Sequence, residues 1–322
     1  MAQLVGVFNM SHTPFCYIPA ELWNERRAGR NIREDVPWDD LESSLLKYER
    51  IQTGFATLRR ELAAAAPDVV VVFGDDQAEC FDFSNHPAFA IYVGEEFEGY
   101  LAPRDLNVAN RELRQKATRK GHPAFAVELL RGLMRKGFDP AFCMDMPKPQ
   151  VGIGHAILRP AESIIAEGTP IIPVLLNCYY APQVTGRRAR GFGKAVREVV
   201  EESPDDLRVA VVGSGGLWHS QGNGPAYLDE DFDRTILGYL ENGDAARMAN
   251  YFDAYQLPQG HPSQRGRGST GMPAPGGPHG GTRETCNWIA AAATAEGMAE
   301  TVVDYVPVYA SPIGVAFAYA KA

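Results

Sequence analysis

Three histidines and one glutamate stand where this chain of 322 residues can do chemistry. His12 lies in Asn9-Met10-Ser11-His12-Thr13-Pro14, directly after a short apolar run, and His219 lies in Gly215-Gly216-Leu217-Trp218-His219-Ser220, directly after another. His155 follows Gly152-Ile153-Gly154 in a turn that leads into an apolar helical stretch. Glu284 opens a helical segment behind Gly281-Thr282, with Thr282 placed to act as its N-cap. A carboxylate in a first helical turn is favoured by the helix dipole, which stabilises the helix end and also keeps the group ionised for a divalent cation. Singly, each has an ordinary structural use, as a turn histidine bonded to backbone or as a helix-end charge. Together they supply the ligands of a metal site and an acid/base beside it.

The elements that must position them read as alternating strands and helices. Leu4 to Phe8, Val69 to Phe73, Ala88 to Val93, Ile171 to Leu176, Arg208 to Gly213 and Thr301 to Val308 are short, rich in Val and Ile, and bounded by Pro, Gly or Asp. Helical patterns lie between them. Leu41 to Ala65 carries Leu45, Ile51, Phe55, Leu58 and Leu62; Ala124 to Lys136 puts Val127, Leu130 and Leu133 on one face; Arg187 to Glu202, Arg234 to Leu240 and Glu284 to Ala295 follow. This order predicts an α/β fold, a three-layer domain spanning residues 1–322, with a largely parallel central sheet flanked by helices. In such sheets ligands bind outside the carboxyl ends of the strands, which is where His12, His219 and the polar turn Gly74-Asp75-Asp76-Gln77 fall. One segment interrupts the pattern: residues 257–282 hold eight Gly and five Pro, with His261, Arg265, Arg267 and His279, and read as a long loop inserted for a lid or a partner.

Composition narrows the function classes. The formal charge of -9 argues against non-specific nucleic-acid binding, and 45% hydrophobic with 22% charged residues suits a chain with a real core. No apolar run approaches the roughly 20 residues of a membrane-spanning helix, and Met1 to Met10 lacks the pattern of a signal peptide, so the expected location is the cytoplasm. Five cysteines, at 16, 80, 143, 178 and 286 and without a C-x-x-C, read as reduced core thiols. Val212-Gly213-Ser214-Gly215-Gly216-Leu217-Trp218 fails as a dinucleotide turn because Trp218 stands at the third glycine, and as a hydrolase elbow because Val212 stands at the first.

Several segments, taken in order, resemble the class III extradiol ring-cleavage dioxygenases, the family of the protocatechuate 4,5-dioxygenase catalytic subunit. They are Ser11-His12-Thr13-Pro14, Pro67 to Gln77, Pro87 to Ile91, Gly213 to His219, and Gly281 to Ile289. Gly74-Asp75-Asp76-Gln77 and Asn287-Trp288-Ile289 look most like the 3-O-methylgallate dioxygenase-type branch. The resemblance implies Fe(II) held by His12 and Glu284, His219 as the base that deprotonates a catecholic hydroxyl, and His155 as a second polar residue over the substrate. It implies oxidative cleavage of a gallate, 3-O-methylgallate or protocatechuate type of ring, with a small aromatic molecule and dioxygen as partners.

The resemblance departs at one ligand. A histidine is expected second, and Gln77 stands there. A neutral amide oxygen binds Fe(II) less well than imidazole. Three readings stay open: Gln77 or the adjacent Asp75 or Asp76 supplies the ligand; His279 or His261 from the insertion does; or the site is impaired and the chain is a non-catalytic subunit of a heteromeric dioxygenase. A metal-dependent hydrolase using His219 as base is a further alternative, and a homodimer is the expected assembly. His86 is one more candidate ligand, although it precedes Pro87 on an ordinary strand lead-in, and His122 reads as a surface turn residue. Asn177, Tyr179 and Tyr180 follow a strand and can line the pocket, Trp218 can wall it or fill core, and Arg187 and Arg188 can bind a substrate carboxylate or simply open a solvated helix.

Overall fold

Short β-branched runs become strands here, and the periodic segments between them become helices. The computed structural model describes residues 1–101, 116–149, 151–219, 225–256 and 276–322. In chain order its elements are β1 (Gln3–Ser11), α1 (Trp23–Ala28), α2 (Leu41–Ala65), β2 (Val69–Asp75), β3 (Phe89–Tyr92), β4 (Glu96–Tyr100), β5 (Lys116–Lys120), α3 (Pro123–Arg135), β6 (Ala141–Cys143) and α4 (His155–Ser163). There follow β7 (Ile171–Leu176), α5 (Gly186–Glu202), β8 (Arg208–Gly215), α6 (Glu230–Glu241), α7 (Ala245–Ala254), α8 (Thr285–Thr294), β9 (Thr301–Val308) and β10 (Ile313–Lys321). None of the described helices is long and apolar enough to cross a membrane.

Eight strands form one sheet in the order β6-β3-β7-β2-β8-β1-β10-β9, and β4 and β5 pair separately. The centre, β7-β2-β8-β1, is parallel throughout. Within this sheet, antiparallel pairs appear among the described residues where β3 meets β7 and where β10 meets β1 and β9. Successive side chains of a strand point to opposite faces, so a strand buried on both sides reads as an unbroken apolar run. β2 does this: Val69, Val71 and Phe73 join one core with residues of α3, α5, α6, α7 and α8, while Val70 and Val72 join the other with residues of α2 and α4. β8 divides its Val209/Val211 and Ala210/Val212 in the same way. The expected three-layer α/β architecture is the observed one.

Some local expectations need correction. Leu45 and Val127 are exposed; Ile51, Phe55, Leu58 and Leu62 carry the buried face of α2, and Phe125, Ala126, Leu129 and Leu133 that of α3. His122 is no bare surface turn residue, since its ring nitrogen accepts from Phe125 N at 3.2 Å and caps α3. His261 and most of the Gly/Pro-rich segment, 257–275, lie outside the described residues.

The register aligns the carboxyl ends of the central strands. Ser11 pairs with Gly215, Phe73 with Gly213, and Asp75 with Leu176, so the residues that leave β1, β2, β7 and β8 emerge side by side.

Candidate active site

His12 leaves β1 and is held from three sides. Its backbone N–H donates to Gly215 O at 3.1 Å, its carbonyl accepts from the Arg159 guanidinium, and its Nδ1 lies 2.9 Å from Ser214 Oγ. A hydrogen bond from Nδ1–H to the serine hydroxyl leaves Nε2 as the lone-pair nitrogen, the tautomer a metal ligand needs. That Nε2 lies 3.3 Å from Glu284 Oε2 and 3.9 Å from Asp75 Oδ1. One donor atom each of His12, Asp75 and Glu284 lies within 4.8 Å of the others, and all three residues are buried.

Asp75 is the last residue of β2, and neither of its buried carboxylate oxygens has a hydrogen-bond partner. A buried carboxylate without partners is costly unless something cationic completes it. Burial, then the charges of Glu284 and Glu79, push its pKa well above the ordinary value. Glu284 goes the other way: burial opposes its charge, but His219, His12 and the Tyr179 hydroxyl hold it below the usual carboxylate range. Burial also lowers His12 well below the ordinary imidazole value, against the pull of Glu284, so its ring is neutral near pH 7. A neutral imidazole beside two carboxylates, one of them unsatisfied, is a donor set that fits a divalent first-row metal.

Glu284 reaches this cluster differently from the expected way. It ends a 3₁₀ turn, Gly280–Glu284, and occupies the N-cap position of α8, so Thr282 is not the cap. Thr282 docks His219 instead: its Oγ1 accepts from His219 N at 3.0 Å, and its own N–H donates to His219 O at 3.2 Å. Arg283, also buried, donates to Gly276 O, Pro278 O and Val184 O and so ties the turn down. The glycine that ends β8 has a packing purpose, since a Cβ on Gly215 would sit 2.6 Å from Glu284 O.

His219 stands beside the carboxylates with its Nε2 at 3.3 Å from Glu284 Oε1. Its Nδ1 is 3.1 Å from Leu217 O, so Nδ1–H donates there and the proton that comes and goes is the one on Nε2. Burial lowers its pKa, but the Glu284 carboxylate and the Leu217 carbonyl outweigh burial and raise it above the ordinary value. A Cβ on Gly281 would fall 1.8 Å from that same Nε2. Gly281→Ala is therefore expected to push the ring out of place and cut kcat by roughly the 10²-fold that a general base contributes. Its check is single-turnover kinetics beside thermal melting, with folding largely retained.

The remaining residues are sorted by the turn chemistry after the strands. Asp76 faces away, its oxygens accepting from Glu79 N, Cys80 N and Phe81 N to build the turn after β2. Gln77 lies beside Glu284, with Nε2 at 3.3 Å from Glu284 Oε1 and 3.2 Å from the Tyr179 hydroxyl. His155 is the first residue of α4, not part of a flexible turn; its ring meets His12 edge-on at 5.0 Å and its Nδ1 is 2.8 Å from Glu79 Oε2. His86 stands 3.6 Å from Asp76 Oδ2 and packs on Tyr180, and His279 precedes the 3₁₀ turn; neither belongs to the three-donor group. Asn177 shapes its own turn through Tyr180 N, and Trp218 fills core against Tyr227, Phe232 and Tyr255. Arg187 bonds Asn250 and Arg188 lies over Phe138, so both serve the packing of α5. Sequence reasoning missed Arg159, Ser214 and Glu79, because no spacing signals a residue that acts by holding another.

Residues 41–271 match the family described as "Catalytic LigB subunit of aromatic ring-opening dioxygenase". That span contains Asp75, Gln77, His155 and His219; His12 and Glu284 lie outside it and join the site by geometry. A gallate dioxygenase of Pseudomonas putida is 30% identical over 127 residues, 38% of this chain and 36% of that protein. A 2,3-dihydroxyphenylpropionate/2,3-dihydroxicinnamic acid 1,2-dioxygenase of Rhodococcus globerulus is 30% identical over 175 residues, 52% of this chain and 49% of that protein. The chain thus spans about a third to a half of the length of these curated relatives. Among solved structures, the uncharacterized protein JW3007 from Escherichia coli K12 covers 98% of this chain and 99% of its own at 13% identity, with a TM-score of 0.44.

Proposed function

The chain belongs to the family of catalytic LigB subunits of aromatic ring-opening dioxygenases, and from that premise we propose that it cleaves the ring of a catechol bearing a carboxylate, beside one of the adjacent hydroxyls, in an Fe(II)-dependent reaction with dioxygen. The observation that carries this reading is the buried, unpartnered Asp75 carboxylate facing His12 Nε2 and Glu284, with His219 on the far side of Glu284. His12, Asp75 and Glu284 would hold the iron. Bound there, Fe(II) supplies open positions for the catechol oxygens and dioxygen, and electron transfer between them.

The rest of the work falls to the chain. His219 Nε2 takes the proton of a substrate hydroxyl and can return it later, its ring fixed by the Leu217 carbonyl. Tyr179 and Gln77 donate to Glu284 and hold the orientation of its carboxylate. His155, oriented by Glu79, adds a polar edge next to His12. Donors and base on one chain favour an enzyme over a non-catalytic subunit. The carboxylate in the proposed substrate follows the relatives, which are named for gallate and for 2,3-dihydroxyphenylpropionate.

The test is anaerobic loading with Fe(II), then gallate, protocatechuate and 3-O-methylgallate with labelled dioxygen. Oxygen uptake matched by a yellow ring-opened product carrying both labelled atoms is expected. Conversion without label would make the chain a hydrolase, and no conversion across the panel would sink the reading.

A further inference from the structure

Behind the base lies a buried carboxylate that the proposed chemistry does not use. Asp233 sits in α6, fully buried, with its two oxygens turned to different elements. Oδ1 accepts from Trp218 N at 2.6 Å, and Oδ2 accepts from the Tyr305 hydroxyl of β9 at 2.9 Å. Trp218 N and Leu217 O belong to one peptide group, and that carbonyl is the one 3.1 Å from His219 Nδ1. A single planar unit therefore joins carboxylate to imidazole, with a hydrogen bond at each end. The glycine at 314 makes room for this, since a Cβ there would fall 1.9 Å from Asp233 Oδ2.

The backbone groups that follow have other partners. Trp218 O accepts from Gly314 N at 2.9 Å, His219 N donates to Thr282 Oγ1, and His219 O accepts from Thr282 N. These bonds hold the chain beyond the Leu217–Trp218 peptide, and the N–H of that peptide is held by Asp233. Turning the peptide would turn its carbonyl, and the ring bonded to that carbonyl would follow. A carboxylate suits the place because both of its partners donate, and an ionised carboxylate only accepts. Burying it is costly unless such bonds satisfy it, so its two donors fix it as firmly as it fixes them.

We propose that Asp233 is a positioning residue: through the Leu217–Trp218 peptide it sets the direction of the Leu217 carbonyl, and with it the ring of His219. This rests on the ring-opening reading, in which His219 moves the proton, and adds the residue that aims it. The side-chain bonds of Asp233 go to Trp218 and Tyr305 and not to His12, Asp75 or Glu284, so its loss should spare the iron.

Asp233→Asn keeps the shape, with an amide oxygen to accept from Trp218 N and an NH2 to donate to the Tyr305 hydroxyl. It should retain most of the wild-type rate. Asp233→Ala leaves the Trp218 N–H without its acceptor. Its kcat per iron-loaded chain is expected to fall about 10- to 100-fold, the cost of a misplaced group, with KM and iron content nearly unchanged. A purely structural loss would lower the amount of loaded protein and not the rate of each loaded chain. The second readout needs neither iron nor substrate: the downfield proton NMR signal of His219 Nδ1–H in the metal-free protein, assigned by its absence in His219→Ala. The signal should persist in Asp233→Asn and shift or vanish in Asp233→Ala. Tyr305→Phe removes one of the two bonds to the carboxylate and should move signal and kcat the same way by less; it decides the matter if Asp233→Ala does not fold. A wild type without the signal, or an unmoved signal or unchanged kcat in the deciding variant, overturns the proposal. If the signal follows Asp233 while no ring is opened, the ring-opening reading fails and the positioning of His219 stands. If ring opening is robust and both readouts ignore Asp233, only this inference fails.

Discussion

Replacing Asp75 by asparagine is expected to strip the protein of stably bound iron without unfolding it. The substitution keeps the shape of the side chain and removes its charge, so little packing is disturbed at the end of β2. Changes to residues that merely orient ligands cost about 10- to 100-fold in metal affinity, and loss of a ligand should exceed about 100-fold. Because neither buried oxygen of Asp75 has a hydrogen-bond partner, Asp75→Asn should leave the melting temperature of protein stripped of metal unchanged or raised. Gln77→Ala is the contrasting variant. Its side chain donates to Glu284 and carries no charge, so more iron should survive than in Asp75→Asn while turnover declines as Glu284 loosens. The measurements are iron per chain after dialysis against a mild chelator and melting curves of the metal-free proteins. Iron retained by Asp75→Asn and lost by Gln77→Ala would return the ligand to Gln77.

His219→Ala should separate chemistry from metal binding. His219 is bonded to backbone through Nδ1 and adjoins Glu284 through Nε2, and it is not among the three donors. Its loss is expected to lower kcat by about 10²- to 10⁴-fold, the usual share of a general base, while iron content stays close to the wild type. His12→Ala should instead lose iron, because it removes the sole imidazole of the donor group. Gly281→Ala, which crowds the same Nε2 from outside, should resemble His219→Ala and not His12→Ala. Equal loss of iron in the His219 and His12 variants would make His219 a ligand.

The site was partly legible because strand ends announce themselves. A valine run that stops at a polar residue marks both a buried strand and the edge where its chain meets solvent, so His12, Asp75 and the segment before His219 could be read as one rim. What could not be read was which polar residue in Asp75-Asp76-Gln77 faces inward. Asp76 is taken by three backbone N–H groups of the turn it builds, and Asp75, still on the strand, keeps its side chain in the site. That division depends on the path of the chain after β2, for which local composition carries no signal. Thr282 shows the same limit: its sequence context suggests a helix cap, but its hydroxyl is used across the fold by His219.

The sequence by itself determined the layered α/β plan, the extents of α2, β7 and β9, and the candidate roles of His12, His219 and Glu284. Burial on both faces of a strand or one face of a helix writes a periodic pattern into the chain, and that pattern is local. Val315, Phe317 and Tyr319 alternate with Ala316, Ala318 and Ala320 as a strand does, and tertiary structure decided only the place of β10, between β1 and β9. It also decided the pairing of Asp75 with His12, the Arg159 clamp on the His12 carbonyl, and the clearance that Gly281 leaves for His219. These contacts join residues tens to hundreds of positions apart, and only the closed sheet, with α4 and α8 packed against it, brings them within reach.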